Sequence, residues 1–545
     1  MRRRLMRLLV PACFSVLLLT YTADVSSADV TPIKSVQEYS DIGSLSGGEI
    51  ANAIASHKVT SEAVVSYYLK RIQQLDGKVN SIIALNPNAL AEAREKDKEI
   101  GNKKKLGRLH GVPVLIKDNI ETKELPTTAG SLALALNKTE RDAPIVARLR
   151  AEGAIILGKT NLSEWANFRS NDSISGWSAV GGQTRNPFSL DRSPCGSSSG
   201  TGAAIASQFA PLGIGTETNG SVMCPSAMNG IVGFKPTVGL MPRTHIVPIS
   251  FTQDTAGPMT RSVKDAALML SVMAGSDSGD KASALADKNA DNYVEKLDGN
   301  IKGLRIGVLR WSQGNRPAIT DAFNQAVDVV KQAGASIVDI ESFDAPEGLG
   351  RDELLVLETE FKHSLNAYLA DAAPDVKYRS LEEVIKFNES SEREMALFDQ
   401  SLMHSSQEKP PIDGKEYQDA LANILTGTRE KGIDLLLKEH NVDVLMMPSR
   451  PAAFLIDPVY GDNYPGGSVG AGWLAAIAGY PIITVPMGSD KGLPLGVGFM
   501  SGAWNDAQVL QVGYAYEQGS KKIMTPTFAQ SGFELDATKD GLAPQ

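Results

Sequence analysis

Two serine-containing segments and one lysine are the parts of this chain best suited to nucleophilic chemistry. Residues 193–202 read Ser-Pro-Cys-Gly-Ser-Ser-Ser-Gly-Thr-Gly and precede an alanine-rich stretch that is predicted to be helical. Ser221 follows the glycine-containing run 213–220, and Lys117 follows the apolar run 112–116. A serine hydroxyl is a weak nucleophile that needs a base within hydrogen-bond reach. Lysine can be that base when burial lowers its pKa.

The serine-rich segment alone is open to three interpretations. A flexible linker is disfavoured because apolar sequence and a predicted helix flank the segment. A phosphate-binding loop is disfavoured because the lysine of the GxxxxGK[ST] motif is missing. Residues 196–200 match the GxSxG motif of serine hydrolases, with Ser198 at the centre. That third interpretation requires a histidine, and the downstream candidates are His363, His404 and His440.

Four blocks of sequence together resemble the amidase signature family, and within it they look most similar to bacterial peptide amidases. The order and spacing of the blocks are specific, and the resemblance extends from about residue 46 to residue 519. It implies an α/β fold with a large central twisted mixed β-sheet that helices cover on both faces. The matching blocks are residues 111–120, 193–204, 213–239 and 254–266.

The resemblance also implies a catalytic triad. Ser221 would be the nucleophile, and Ser197, joined to Gly196 by a cis peptide bond, would relay a proton. Lys117 would be the base. The family's oxyanion hole corresponds to the backbone N–H groups of Thr218, Asn219, Gly220 and Ser221. Attack on an amide carbonyl would give an acyl-enzyme that water then hydrolyses, with no metal ion and no organic cofactor.

Further residues are assigned by their place in the matching segments. The polar loop 169–183 faces the substrate in the family, so the resemblance suggests that Asn171, Ser173 and Trp177 bind substrate. Ordinary turn chemistry is an equally good explanation of that loop. Ser198 and Asp254 are expected to support the catalytic residues without reacting themselves.

The chain departs from the family pattern close to the expected nucleophile. Cys195 and Ser199 replace glycines of the common GGSSGG motif, Asn219 stands where many members have glycine, and Met223 stands where many have arginine. Cys195 and Cys224 flank the two serines and could pair in an oxidising compartment. We expect two buried free thiols instead, because a bridge here would constrain the active site.

The first 28 residues resemble a secretory signal peptide. Four arginines precede the mostly apolar run 8–20, which is too short for a confident membrane span, and small residues occupy positions 26–28. Cleavage after Ala28 would leave a periplasmic or secreted protein with no stable membrane span. An uncleaved anchor is the alternative, and the paired arginines leave the export route open.

Composition excludes several other classes of protein. The 545 residues are 42% apolar and 21% charged, as is usual for a soluble globular chain. The net charge is −9, and no basic stripe follows the N-terminus, so we expect no nucleic-acid partner. Three cysteines cannot form a disulfide framework. Six histidines without HExxH spacing make a metal site built by the protein improbable.

The elements that must position these residues form one domain. We predict a single amidase domain over residues 29–545, acting as a monomer. It comprises a helical region at 44–100, a core at 105–275 and a peripheral helical insertion at 345–435. Apolar runs predict strands at residues 112–116, 154–157, 304–309, 336–340, 442–447, 482–485 and 495–499, and helices at 321–332 and 506–518.

The function that these observations favour is an exported serine amidase that hydrolyses C-terminal amides of peptides to acid and ammonia. Other carboxamides, such as fatty or aryl amides, are alternative substrates. A glutamyl-tRNA amidotransferase A-type subunit is a further alternative, although a signal peptide argues against it because charged tRNA is cytosolic. An inactive binding protein and a histidine-dependent esterase that uses Ser198 are the remaining alternatives.

Overall fold

The computed structural model describes residues 42–100, 105–464 and 469–537. Eleven strands form one sheet, and two further strands form a separate short hairpin. The strands are β1 Ile82–Leu85, β2 Pro113–Lys117, β3 Ile155–Thr160, β4 Trp177–Ser178, β5 Gly182–Gln183, β6 Leu212–Glu217, β7 Val232–Lys235, β8 Thr255–Thr260, β9 Arg305–Leu309, β10 Ser336–Ile340, β11 Val444–Pro448, β12 Ile482–Asp490 and β13 Leu493–Met500.

The large sheet is mixed. Its strand order is β1-β3-β2-β6-β8-β7-β12-β13-β11-β9-β10. Strand β2 runs parallel to β3 and β6, and β9 runs parallel to β10 and β11, whereas the strands between these groups pair antiparallel. Strands β2, β3 and β6 are buried along their whole length. Continuous apolar runs such as 112–116 fit that environment, because a strand buried on both faces needs no polar alternation.

Helices pack around the sheet. No helix among the described residues is long and apolar enough to cross a bilayer. The α-helices are α1 Gly47–Ala55, α2 Ser61–Val79, α3 Ala89–Glu99, α4 Pro144–Ala151, α5 Ser199–Ala206, α6 Met223–Met228, α7 Val263–Met273, α8 Ala286–Asn289, α9 Pro317–Gln332, α10 Leu349–Ala370, α11 Leu381–Ser390, α12 Ser401–Gln407, α13 Lys415–Thr428, α14 Asp434–Glu439, α15 Gly472–Ala478, α16 Asp506–Ser520 and α17 Gly532–Ala537.

The predicted helical region at the start of the domain contains a strand. Helix α2 begins after Thr60, whose side chain accepts a hydrogen bond from the Ala63 N–H, and it ends at the left-handed residue Asn80. Strand β1 follows and pairs antiparallel with β3. The prediction of an all-helical stretch over residues 44–100 is therefore wrong at β1. Four residues carry too little periodicity to reveal a strand that tertiary pairing stabilises.

The strands predicted from apolar runs are all present, and each begins within two residues of its predicted start. The segment 345–435 is helical as predicted and contains α10 to α13. It is not peripheral to the chemistry, however, because α10 carries Glu353 and Leu357 to the residues described below. The predicted signal sequence, residues 1–28, lies outside the described residues.

The sheet brings Lys117 and the turn of Ser221 together at the carboxyl ends of two neighbouring strands. Strands β2 and β6 are adjacent and parallel, so their carboxyl ends lie side by side. Lys117 is the last residue of β2, and the turn that contains Ser221 follows the end of β6. Crevices at the carboxyl ends of parallel strands are a common location for ligand sites in α/β proteins.

Candidate active site

Lys117 lies at the centre of a buried hydrogen-bonded group. Its side chain is fully buried, and its Nζ donates to Ser197 Oγ at 2.8 Å and to Thr216 Oγ1 at 2.7 Å. Burial lowers the pKa of Lys117 to about 7, although the negative charges of Asp254 and Glu217 partly oppose that shift. An ammonium group removed from water loses hydration, which favours the neutral amine. The structure thus provides a lysine that can act as a base near neutral pH.

Ser197 accepts the hydrogen bond of Lys117 and directly precedes Ser198, whose backbone contacts Ser221. The peptide bond between Gly196 and Ser197 is cis, in agreement with the resemblance. Ser197 is fully buried, and its carbonyl oxygen accepts a hydrogen bond from the Ser163 N–H at 3.1 Å. A Cβ at Gly196 would lie 2.2 Å from Ser163 Oγ, so only glycine fits there.

Ser221 occupies a tight turn between β6 and α6. Gly220 just before it has a φ of +88°, which glycine adopts without strain. Glu217 holds the far side of the turn, because its Oε2 accepts hydrogen bonds from the Val222 and Met223 N–H groups. The Ser198 N–H donates to the Ser221 carbonyl oxygen at 3.1 Å, and this bond joins the two serine segments.

The turn before Ser221 presents free backbone donors. Thr218 Oγ1 donates to Asp254 Oδ1 at 2.5 Å, and Asn219 Nδ2 donates to Glu353 Oε1 at 2.8 Å, so both side chains are held by carboxyl groups. The N–H groups of all four residues expected in the oxyanion hole, Thr218, Asn219, Gly220 and Ser221, donate to no acceptor in the described part of the chain. Unpaired N–H groups at a nucleophile are the arrangement that stabilises an oxyanion.

A cavity of about 170 Å³ opens at Ser221. Ser221 is 9% exposed, whereas Lys117 and Ser197 have no exposure. The side chains around Ser221 are apolar or neutral, except for one cationic side chain. The lining residues are Ala166, Asn167, Phe168, Ser175, Cys195, Gly196, Thr218, Asn219, Gly220, Ser221, Cys224, Ile249, Leu357, Arg450 and Tyr464.

The three residues that the sequence suggested for substrate binding do not line this cavity. Asn171 is exposed, Ser173 Oγ accepts a hydrogen bond from the Ser170 N–H, and Trp177 packs edge-on against Phe398. Of the loop 169–183, Ser175 is the residue that lines it instead. No sequence pattern pointed to Leu357 or Arg450, which come from distant parts of the chain.

Cys195 and Cys224 form a disulfide bond, with Cα atoms 5.9 Å apart. The expectation of two free thiols was therefore wrong. Both cysteines line the cavity, and the bond ties the segment of Ser197 to the segment of Ser221. A bridge was not expected, because it would constrain the active site; the structure contains that constraint.

Ser198 has a supporting place. Its Oγ donates to the Thr216 carbonyl oxygen at 3.1 Å and accepts from the Thr216 N–H at 3.2 Å. None of the histidines among the described residues lines the cavity at Ser221. The geometry gives no support to an esterase that uses Ser198 and a histidine.

Known proteins resemble this chain over most of its length. The family model for amidases matches residues 63–510. A putative amidase of Arthroderma benhamiae is 37% identical over 84% of this chain and 78% of its own. The glutamyl-tRNA(Gln) amidotransferase A-type subunit of Alkaliphilus metalliredigens is 33% identical over 86% of this chain and 95% of its own.

Solved structures extend the comparison to the fold. Native peptide amidase from Stenotrophomonas maltophilia superposes with a TM-score of 0.84, at 42% identity, over 89% of this chain and 98% of its own. The fold that the resemblance implied, a large mixed sheet with helices around it, is confirmed. This chain therefore belongs to the amidase signature family and is a hydrolase that acts on carbon–nitrogen amide bonds.

Proposed function

We propose that the protein is an exported serine amidase that hydrolyses C-terminal amides of peptides to the free acid and ammonia. The observation that carries the proposal is the buried Lys117–Ser197 contact beside a nucleophile whose neighbouring backbone N–H groups are unpaired within the described residues. The 42% identity to a peptide amidase supports the choice of substrate.

The proposed reaction begins with neutral Lys117. Its Nζ takes the hydroxyl proton of Ser197, Ser197 takes the proton of Ser221, and Ser221 Oγ attacks the amide carbonyl carbon. The oxyanion is then hydrogen-bonded by N–H groups from the turn that contains Thr218, Asn219, Gly220 and Ser221, and one such donor contributes about 3 kcal/mol to transition-state stabilisation. The proton returns from Lys117 through Ser197 to the leaving nitrogen, which departs as ammonia.

The second half of the reaction repeats this relay with water. Water gives one proton toward Lys117 through Ser197, and its oxygen attacks the ester carbonyl of the acyl-enzyme. Collapse of the intermediate returns the proton to Ser221 Oγ and releases the carboxylic acid. All proton transfers on the protein run through Lys117, Ser197 and Ser221. Ser198 positions Thr216 and Asp254 positions Thr218, and neither takes part in a transfer.

Export is part of the proposal. The disulfide between Cys195 and Cys224 suits an oxidising compartment, and the composition of residues 1–28 suits a cleaved signal peptide. We infer a periplasmic or secreted monomer with one amidase domain over residues 29–545. The bridge also disfavours a role in an amidotransferase complex, since that activity needs cytosolic charged tRNA.

Hydrolysis of other small carboxamides is the second candidate, because the amidase relatives carry no stated substrate. The experiment that separates the candidates is ammonia release from peptide amides, fatty amides, aryl amides and glutamine, with Ser221→Ala as the control. Turnover of peptide amides above the other classes supports the proposal. Turnover of only fatty or aryl amides would overturn its substrate assignment.

A further inference from the structure

Arg450 gives the cavity at Ser221 a positive charge. It follows β11 and is partly buried. No aspartate or glutamate lines the cavity, so among the described lining residues Arg450 is the one that carries a permanent charge. The wall of the cavity is otherwise apolar or neutral, with Phe168, Ile249 and Leu357 among its members.

The guanidinium lies against the oxyanion turn. A Cβ built on Gly220 would be 2.8 Å from Arg450 Nη2. Gly220 directly precedes Ser221, and Arg450 and Ser221 line the same cavity, so a substrate that reaches Ser221 enters the space that Arg450 borders. A charge at that position acts on the part of the substrate that carries the scissile carbonyl.

The guanidinium has no acceptor within the described part of the chain. In the described residues Arg450 forms neither an ion pair nor a hydrogen bond. The nearby carboxyl groups are engaged elsewhere: Asp254 by Thr218, Glu353 by Asn219, and Asp462 by Ser175. An arginine at a partly buried site presents up to five N–H donors that favour a carboxylate.

A second side chain of the cavity is also unpaired. Asn167 Oδ1 is buried and accepts no hydrogen bond within the described structure. The Oδ1 atom has no accessible surface, so the Arg450 guanidinium is the unpaired group that a substrate in the cavity can reach, and its complement is a negative charge. A fatty chain or an aryl ring would leave the guanidinium without a partner, and an unpaired polar group opposes binding.

We propose that Arg450 selects acyl groups that carry a negative charge beside the scissile amide, so that the preferred substrates are peptide amides that end in an acidic residue. This inference rests on the proposed function, and it narrows the substrate class of the same site. Arg450 binds the carboxylate by charge-assisted hydrogen bonds, and the backbone N–H groups remain available for the oxyanion.

The test compares three substrates that differ in charge: N-acetyl-glutamate α-amide, its γ-methyl ester and N-acetyl-lysine amide. For the wild type, kcat/KM for the glutamate amide is expected to exceed that for the methyl ester by about 10- to 100-fold, as a charge-assisted hydrogen bond would give. The Arg450→Gln variant is expected to lose this ratio, Arg450→Lys to keep part of it, and Arg450→Glu to prefer the lysine amide.

The control is Arg94→Gln in α3, which changes the net charge by the same amount outside the cavity and should leave the ratio unchanged. Two results would overturn the inference: a wild-type ratio of one or less, or an equal loss on all three substrates in folded Arg450→Gln. The second result would mean that Arg450 stabilises the oxyanion or the folded protein and does not select the acyl group. Thermal unfolding of each variant checks that it is folded.

Failure of the proposed function gives a different pattern. If the enzyme releases ammonia from no peptide amide but does so from other amides, the peptide assignment fails. The pair of succinamate and its methyl ester then measures the same charge preference on a non-peptide acyl group. A preference for succinamate that Arg450→Gln removes supports the role of Arg450, and its absence overturns that role.

Discussion

The Nζ of Lys117 lies 2.8 Å from the Oγ of Ser197, and neither residue has any exposed surface. Lys117 is therefore shielded from water, whereas Ser221 lines the cavity and retains 9% exposure. In the mechanism that we propose, Ser197 relays the proton between the buried Lys117 and Ser221, the nucleophile that lines the cavity. Burial favours the neutral form of Lys117, and Ser221 is reached by a substrate through the cavity.

The dependence of activity on pH follows from the state of Lys117. Burial lowers its pKa to about 7, and only the neutral amine can accept a proton. We expect kcat/KM for a neutral peptide amide to rise as the pH increases through about 7 and then to level off. A pH–rate profile of the free enzyme measures this. A flat profile between about pH 5.5 and 8.5 would contradict the assignment of Lys117 as base.

The same pKa shift affects stability. The pKa of Lys117 is about 7 in the folded state and 10.5 ordinarily, so the unfolded chain binds more protons between these pH values. The free energy of unfolding therefore increases with pH between about 7 and 10.5 because of Lys117. Below about pH 7 the lysine is charged in both states, and the full cost of burying its charge applies.

Replacement of Lys117 by methionine should remove this pH dependence of the unfolding free energy. From pH 7 to pH 9 the wild type should gain about 2–3 kcal/mol of unfolding free energy relative to Lys117→Met, at about 1.36 kcal/mol per pH unit. Urea unfolding of both proteins at the two pH values measures the difference, because titration of all other groups cancels. An equal change in the two proteins would show that Lys117 is charged in the folded state. The variant should also be inactive.

The disulfide between Cys195 and Cys224 is expected to stabilise the folded protein. The bond closes a loop between residues 29 positions apart, and the chain-entropy relation gives about 3–4 kcal/mol for a loop of this size. The double variant Cys195→Ser/Cys224→Ser should be destabilised by that amount in denaturant unfolding under oxidising conditions. Dithiothreitol should destabilise the wild type similarly and leave the double variant unchanged. Equal stability of the two oxidised proteins would mean that the bond does not form in solution.

The turn before the nucleophile should tolerate no side chain. In Gly220→Ala the left-handed φ of +88° becomes strained, and the new methyl group meets Arg450 Nη2. Displacement of one oxyanion donor should lower kcat by about 100- to 1000-fold. Gly303→Ala is a matched control, since Gly303 has a φ of +85° and nothing within 4 Å of its Cβ position. It should lose stability but keep its kcat, and an equal kcat for both variants would refute the role of the turn.

The resemblance to the amidase signature family, which four short blocks of sequence carry, assigns Lys117, Ser197 and Ser221 to the site. The apolar runs predict strands such as β2. Arg450 and Leu357 could not be predicted, because each is distant from the serines in sequence and reaches the cavity only through the packing of the sheet and α10. Strands such as β8, with Gly257 and Pro258 in its centre, are defined by their partners rather than by their own residues.

The central claim is that Ser221 carries the acyl group. Enzyme quenched with acid during turnover of the p-nitrophenyl ester of an N-acetylated amino acid should hold the acyl group on the peptide that contains Ser221, located by fragmentation in a mass spectrometer. Lys117→Met should accumulate far less of this adduct. An adduct on Ser198 or Ser197, or turnover without any adduct on Ser221, would contradict the account.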